Sequence, residues 1–192
     1  MPKNEKSGSS KFKHFLITRF NLCMHATPSK RWSKAIIRKS NTSYLDDEYL
    51  LNRLEMFNTY TVPSVMGQTT QDFTWLILMD DRTSPGITDR ITELVKDRPN
   101  TFTLLGRDPD YTAASRGMFS LLEEDTGWVI STGLDNDDAL SREYLQVVQD
   151  NFREKREFIN LVKGVTVAHH KGFQYIGNRE GTGVNHFRSF VE

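Results

Sequence analysis

Phe73-Thr74-Trp75-Leu76-Ile77-Leu78-Met79 is the most hydrophobic run of the sequence, and it stops abruptly at Asp80-Asp81. Near-continuous apolarity of this kind fits a central β-strand buried on both faces. A second run, Trp128-Val129-Ile130-Ser131-Thr132, leads in the same way into Gly133-Leu134-Asp135-Asn136-Asp137-Asp138. Working outward, Phe15–Phe20 reads as a first strand, and Thr101–Leu105, ended by Gly106, as another. Between the strands, apolar residues fall at helical spacing. Leu50, Leu51, Leu54, Phe57 and Tyr60 predict a helix over 47–60, started by Asp46-Asp47 and stopped by Pro63. Ile87, Ile91, Leu94 and Val95 predict one over 87–96, and Met118, Phe119, Leu121 and Leu122 one over 112–124, ended by Gly127. Ser141 reads as the N-cap of a helix reaching Phe152, with Tyr144, Leu145 and Val148 inward. Phe158–Val167 and Phe173–Ile176 read as strands joined in a hairpin through His170-Lys171-Gly172. Residues 22–45 read as a loop with a short helix at 32–38, and the last fifteen residues as Gly-rich and irregular.

Alternating strands and helices predict an α/β fold with a mostly parallel sheet covered by helices. Ligands bind such sheets beyond the carboxyl ends of the strands. Asp80-Asp81 and Asp135 to Asp138 are both expected there. Carboxylates crowded at a strand end repel one another, and a divalent cation relieves that cost. Magnesium and manganese prefer hard oxygen ligands and share them with phosphates. The same residues also make a plain solvated turn before a helix, whose dipole favours acidic residues at its start. An EF-hand is a poor match, because the central Gly and terminal Glu are missing at the required spacing.

Other candidates are weaker. Arg116 can pair with a phosphate or an Asp, but a lone Arg is more often a surface residue. His169 and His170 are adjacent, so in a strand their rings face opposite sides. His186 stands alone, and Cys23 has no visible partner pattern. No Gly-rich phosphate loop is present. Lys and Arg total 25, equal to Asp and Glu, so net charge offers no case for nucleic acid or an anionic membrane. A single cysteine excludes an internal disulfide framework. No apolar run is long enough to span a membrane. Residues 1–11 are polar without an apolar signal core, and are expected to form a disordered arm before a domain at 12–192. The cytoplasm is the expected location.

Several segments together resemble one superfamily. Leu16-Ile17-Thr18-Arg19-Phe20-Asn21 is similar to the first strand and nucleotide-contacting turn of glycosyltransferases with the GT-A (Rossmann-like) nucleotide-diphospho-sugar transferase fold. Ser64-Val65-Met66-Gly67-Gln68-Thr69 with Asp72–Asp81 resembles its Ser-x-x-x-Gln-Thr segment and Asp-ended second strand. Ser115-Arg116-Gly117, Gly127–Ile130 and Leu134–Asp138 resemble its Arg-bearing helix and metal-binding DXD strand. Within that superfamily, Tyr60–Val65, Gln68-Thr69 and Leu134–Leu140 look most like a rhamnosyltransferase family of bacteria. Phe158-Ile159-Asn160 and Phe187–Glu192 look like later parts of the same family.

The resemblance implies an inverting, metal-dependent transfer of a hexose from a nucleotide-diphosphate sugar to a glycan or other hydroxyl acceptor. Carried over by position, Thr18 and Arg19 lie near the base or ribose. Asp80, with Asp81 beside it, holds the base or ribose, and Arg116 reaches the base or diphosphate. Asp135 binds ribose or sugar. Asp137 is the main ligand of Mn2+ or Mg2+, with Asp135 and Asp138 in support. The general base is not evident, and Glu180 and Glu192 are its candidates. Relatives continue beyond the position of Glu192, so the resemblance leaves open a truncated acceptor side, a compact variant, or a domain that binds the donor but transfers poorly. The alternatives are a nucleotidyltransferase or phosphohydrolase, and a degenerate transferase-like module that binds a nucleotide-sugar without turnover.

Overall fold

A computed structural model describes residues 11–21, 44–106, 112–170, 173–180 and 188–192. The expected short helix at 32–38, Cys23 and His186 lie outside them, as does all of the expected arm except Lys11. Lys11 is ion-paired with Glu123 and Asp125 immediately before the first strand.

The strands are β1 (Phe12–Arg19), β2 (Thr74–Asp80), β3 (Thr101–Gly106), β4 (Trp128–Asp135), β5 (Glu157–Asn160), β6 (Lys163–His170), β7 (Phe173–Glu180) and β8 (Arg188–Val191). The main sheet has the order β3-β2-β1-β4-β8-β5. β3, β2, β1 and β4 run parallel, while β8 is antiparallel to both of its neighbours. The helices are α1 (Asp47–Met56), α2 (Val62–Met66), α3 (Pro85–Val95), α4 (Thr112–Ser120) and α5 (Tyr144–Asp150). This is the α/β, GT-A-like arrangement that the sequence predicts.

Every residue of β2 is buried, as its apolar run requires. On one face Leu16, Trp75, Ile77 and Met79 share a core with Leu50, Leu54 and Phe57 from the α1 region and with Ile87, Ile91 and Val95 of α3. On the other, Leu78 packs with Ile17 and Leu104. α4 covers this second face, and Gly117 lets it sit directly on Leu104 of β3, where a Cβ would clash.

Four expectations change. Pro63 does not stop the first helix. A π-helical turn at Phe57–Thr61 joins α1 to α2, and Pro63 then occupies the first turn of α2, where its missing N–H costs nothing. Ser141 is not the N-cap, since α5 begins only at Tyr144 and Ser141 lends backbone groups to the preceding turn. The expected strand 158–167 is two strands, because the chain leaves the main sheet after Asn160 and enters the separate β6–β7 hairpin. The last residues are not irregular throughout: Asn178–Glu180 complete β7, and Arg188–Val191 form β8 between β4 and β5.

Candidate functional site

The order of the sheet reverses between β1 and β4, and sheets of this kind bind ligands beyond the carboxyl ends of the strands at such a point. Arg19 and Asp135 are register partners there. They close an ion pair, with Arg19 Nη2 2.9 Å from Asp135 Oδ1 and both side chains about a third exposed (33% and 38%). Side chains alternate along strands, which puts Asp80 on the same face as Arg19 and Asp135. The floor beside Asp135 is open: a Cβ at Gly133 would meet nothing within 4 Å. A glycine at such a strand position admits the close approach of a ligand.

Asp80 is wholly buried. Arg82 grips it with a fork, Nε to Oδ1 and Nη2 to Oδ2, both at 2.8 Å, and the Arg82 backbone N–H adds a third bond to Oδ1 at 2.9 Å. That fork, with the Tyr44 ring and hydroxyl against it, raises the Arg82 pKa further above its ordinary value. Thr83 Oγ1 donates to the Asp80 carbonyl at 2.7 Å, and Asn21 bonds both the Asp80 N–H and Thr83. Asn21 thereby ties the β1 end to the β2 end, while the Asp80 carboxylate holds Arg82 within its own turn. Asp81, the next residue, is exposed.

The acidic turn is fixed along its length. Asn136 is buried and donates Nδ2 to the Phe20 carbonyl at 2.6 Å. The Asp138 N–H returns to the Asp135 carbonyl at 3.3 Å, and Thr61 Oγ1 donates to the Asp138 carbonyl at 2.8 Å. Arg53, near the end of α1, donates Nη1 to Asp137 Oδ2 at 2.9 Å and Nη2 to Asn136 Oδ1. Farther on, Gln68 donates Nε2 to the Ser64 and Ser141 carbonyls and accepts at Oε1 from the Leu145 N–H. Thr61 and Gln68 therefore hold the backbone of residues 138–145 in place.

Arg19, Asp80 and Asp135 are brought to one sheet edge and face, and Asp137 and Asp138 follow in the turn. Arg116 is exposed on α4, the helix that covers this same face. Thr18 is placed elsewhere. It points into the opposite core, is wholly buried, and accepts a hydrogen bond from Trp75 Nε1 at 3.0 Å. Glu192 pairs through its backbone with Val129, near the amino end of β4. That is six residues from Asp135, or roughly 20 Å along a strand. Glu180 ends β7 opposite Lys163, in the separate hairpin.

Sequence reasoning misses Arg53 and Arg82. The Arg82 signal was available, since an Arg two residues after a strand-end Asp can reach back across the turn. Arg53 gave none, because 84 residues separate it from Asp137.

Among the described residues no three His, Cys, Asp or Glu side chains gather as a ready metal site. Asp135 and Asp137 are instead engaged by Arg19 and Arg53. A cation at Asp137 would have one or two protein oxygens. Magnesium and manganese accept such a sparse set when phosphates supply further ligands. The turn therefore suits a cation that arrives with a diphosphate better than a resident one.

A protein-family model described as "Putative rhamnosyl transferase" matches residues 13–190. No curated protein matches the sequence.

Proposed function

The chain belongs to the rhamnosyl transferase family whose model spans residues 13–190, and from that premise we propose that it transfers a hexose from a nucleotide-diphosphate sugar to an acceptor hydroxyl. The observation that carries this reading is the Arg19–Asp135 pair at the carboxyl ends of β1 and β4, beside the open space at Gly133 and one residue before the turn that presents Asp137. Arg19 offers a cationic fork to a ribose or phosphate oxygen. Asp135 can accept from a ribose or sugar hydroxyl. Asp137, with Asp138 in support, would hold Mn2+ or Mg2+, and the bound cation would stabilise the diphosphate as a leaving group. Asp80 acts at one remove: buried beneath Arg82, it orients the β2 end so that Arg82 and Asp81 face outward. Arg116 approaches from α4. Transfer with inversion and rhamnose as the sugar are the finer parts of the proposal, taken from the family.

Asp137→Ala tests the reading. The variant should keep its far-UV spectrum and thermal midpoint within a few degrees, because backbone bonds and Thr61 hold the turn. It should lose manganese-dependent binding of uridine or thymidine diphosphate by calorimetry. Equal binding with and without manganese, unchanged by the substitution, would remove the cation from the scheme. Glu192 lies at the far end of β4, and this favours a second reading in which the domain binds a nucleotide-sugar without turning it over. Incubation with a panel of sugar nucleotides separates the two. Released nucleoside diphosphate supports transfer, and binding without release supports the module.

A further inference from the structure

We propose that Arg53 is the displaceable counter-ion of the acidic turn, neutralising Asp137 in the ligand-free protein and pairing with the donor's diphosphate once a cation takes that carboxylate. This rests on the reading above that Asp137 binds a cation.

Arg53 has the position for it. It sits near the C-terminal end of α1 and spans Asn136 and Asp137 with two nitrogens, while its Nε is buried with no hydrogen-bond partner. Nor does the turn need Arg53 to hold its shape. Asn136 Nδ2 on the Phe20 carbonyl, Thr61 on the Asp138 carbonyl and the Asp138 N–H on the Asp135 carbonyl fix its backbone independently. The Arg53–Asp137 pair is itself partly exposed, 22% and 38%, so it can exchange partners.

The exchange follows from charge. A divalent cation at Asp137 repels a guanidinium 2.9 Å from the same oxygen. The freed fork keeps its anchor on α1, beside the place where a cation-bound diphosphate would lie. Planar bidentate donors suit phosphate oxygens better than a lysine ammonium does. Arg53 would then face Arg19 across the diphosphate, each drawn from a carboxylate of the same turn.

A counter-ion that competes with the cation yet favours the diphosphate has a signature that a structural pin lacks. In the full chain, Arg53→Gln should bind manganese alone more tightly, by about 3- to 10-fold as measured from free Mn2+ by electron spin resonance, because no ion pair must be broken. The same variant should bind manganese with uridine or thymidine diphosphate about tenfold more weakly by calorimetry. Arg53→Lys should restore part of the diphosphate affinity. Parallel weakening of both ligands, or no change in either, overturns the proposal. If wild-type diphosphate binding ignores both manganese and Asp137→Ala, the cation reading fails, and this one with it. If binding depends on Asp137 but Arg53→Gln leaves both affinities unmoved, only the role of Arg53 falls.

Discussion

Asp80 and Asp137 put the same side chain to opposite uses. Asp80 is wholly buried, and its two oxygens take three bonds from Arg82. Asp137 is 38% exposed and meets a single nitrogen of Arg53. Residue type alone makes these carboxylates equal; burial and partners set them apart. His14 is a third buried polar group with a definite consequence. Its Nε2 lies 2.8 Å from Thr132 Oγ1, which in turn contacts Ser189 Oγ at 2.6 Å, and Gln149 Nε2 approaches its Nδ1 at 3.2 Å. The neutral tautomer fits, with Nε2–H donating and Nδ1 accepting. Burial pushes the His14 imidazole down to about 3. The unfolded chain, with an ordinary value near 6.5, therefore binds this proton more readily than the folded one. His14 thus costs no stability above about pH 6.5, and stability falls as pH drops from there toward 3. The slope from this one group is at most about 1.4 kcal/mol per pH unit. Urea unfolding of wild type and His14→Gln between pH 7.5 and 4.5 should show the variant lacking that slope. Parallel curves would mean that His14 is protonated in the folded state.

Among the elements, the helical run from α1 through its π turn to α2 links the core to the site. Its apolar residues Leu50, Leu54, Phe57, Val62 and Val65 are buried, while Arg53, Thr61 and Gln68 reach the acidic turn and the start of α5. The π turn carries one more residue per hydrogen-bonded ring than an α turn, which shifts the register of everything after it. Thr61, inside that turn, is wholly buried and bonded to Asp138, and Pro63 falls where a proline is tolerated. Gln68 explains why an amide rather than a carboxylate suits its place: it must donate to two carbonyls and accept from one N–H. Gln68→Leu keeps comparable volume but orphans the Leu145 N–H and leaves the Ser141 carbonyl with only the Tyr144 N–H. It should cost about 2–3 kcal/mol in urea unfolding, and should also weaken diphosphate binding by loosening residues 136–145. A loss below about 0.5 kcal/mol would show that water replaces the amide. The sequence marked this helix by its apolar spacing and mislaid its end, because a π turn leaves no mark on hydrophobic periodicity.

On the scale of the whole molecule, the sheet is completed by the last strand of the chain. β8 lies antiparallel between β4 and β5, with Ser189 and Val191 wholly buried, Val191 in the main core, and Phe190 stacked on Phe158 at 4.7 Å between ring centroids. Ser189 also lies on the polar line that runs from His14 through Thr132. Removing residues 188–192 should leave β4 and β5 with unpaired edges on either side of a gap. The shortened chain should lose its near-UV spectrum and go largely to the insoluble fraction; a soluble form unfolding as cooperatively as wild type would show β8 to be dispensable. Much of the rest was legible in advance. The apolar runs at 73–79 and 128–132, the helical spacing between them and the Asp residues that end the strands set the parallel α/β core and placed Asp80 and Asp135 at one edge. No helix among the described residues is long and apolar enough to cross a membrane. These features are local, since burial selects side chains at the period of the element they occupy, and that period can be read from neighbours alone. Tertiary structure alone decided that Thr18 faces the core, that residues 188–191 enter the sheet and that Arg53 meets Asp137. Each of these depends on which distant groups packing brings within 3 Å, and no periodicity in a linear chain encodes that.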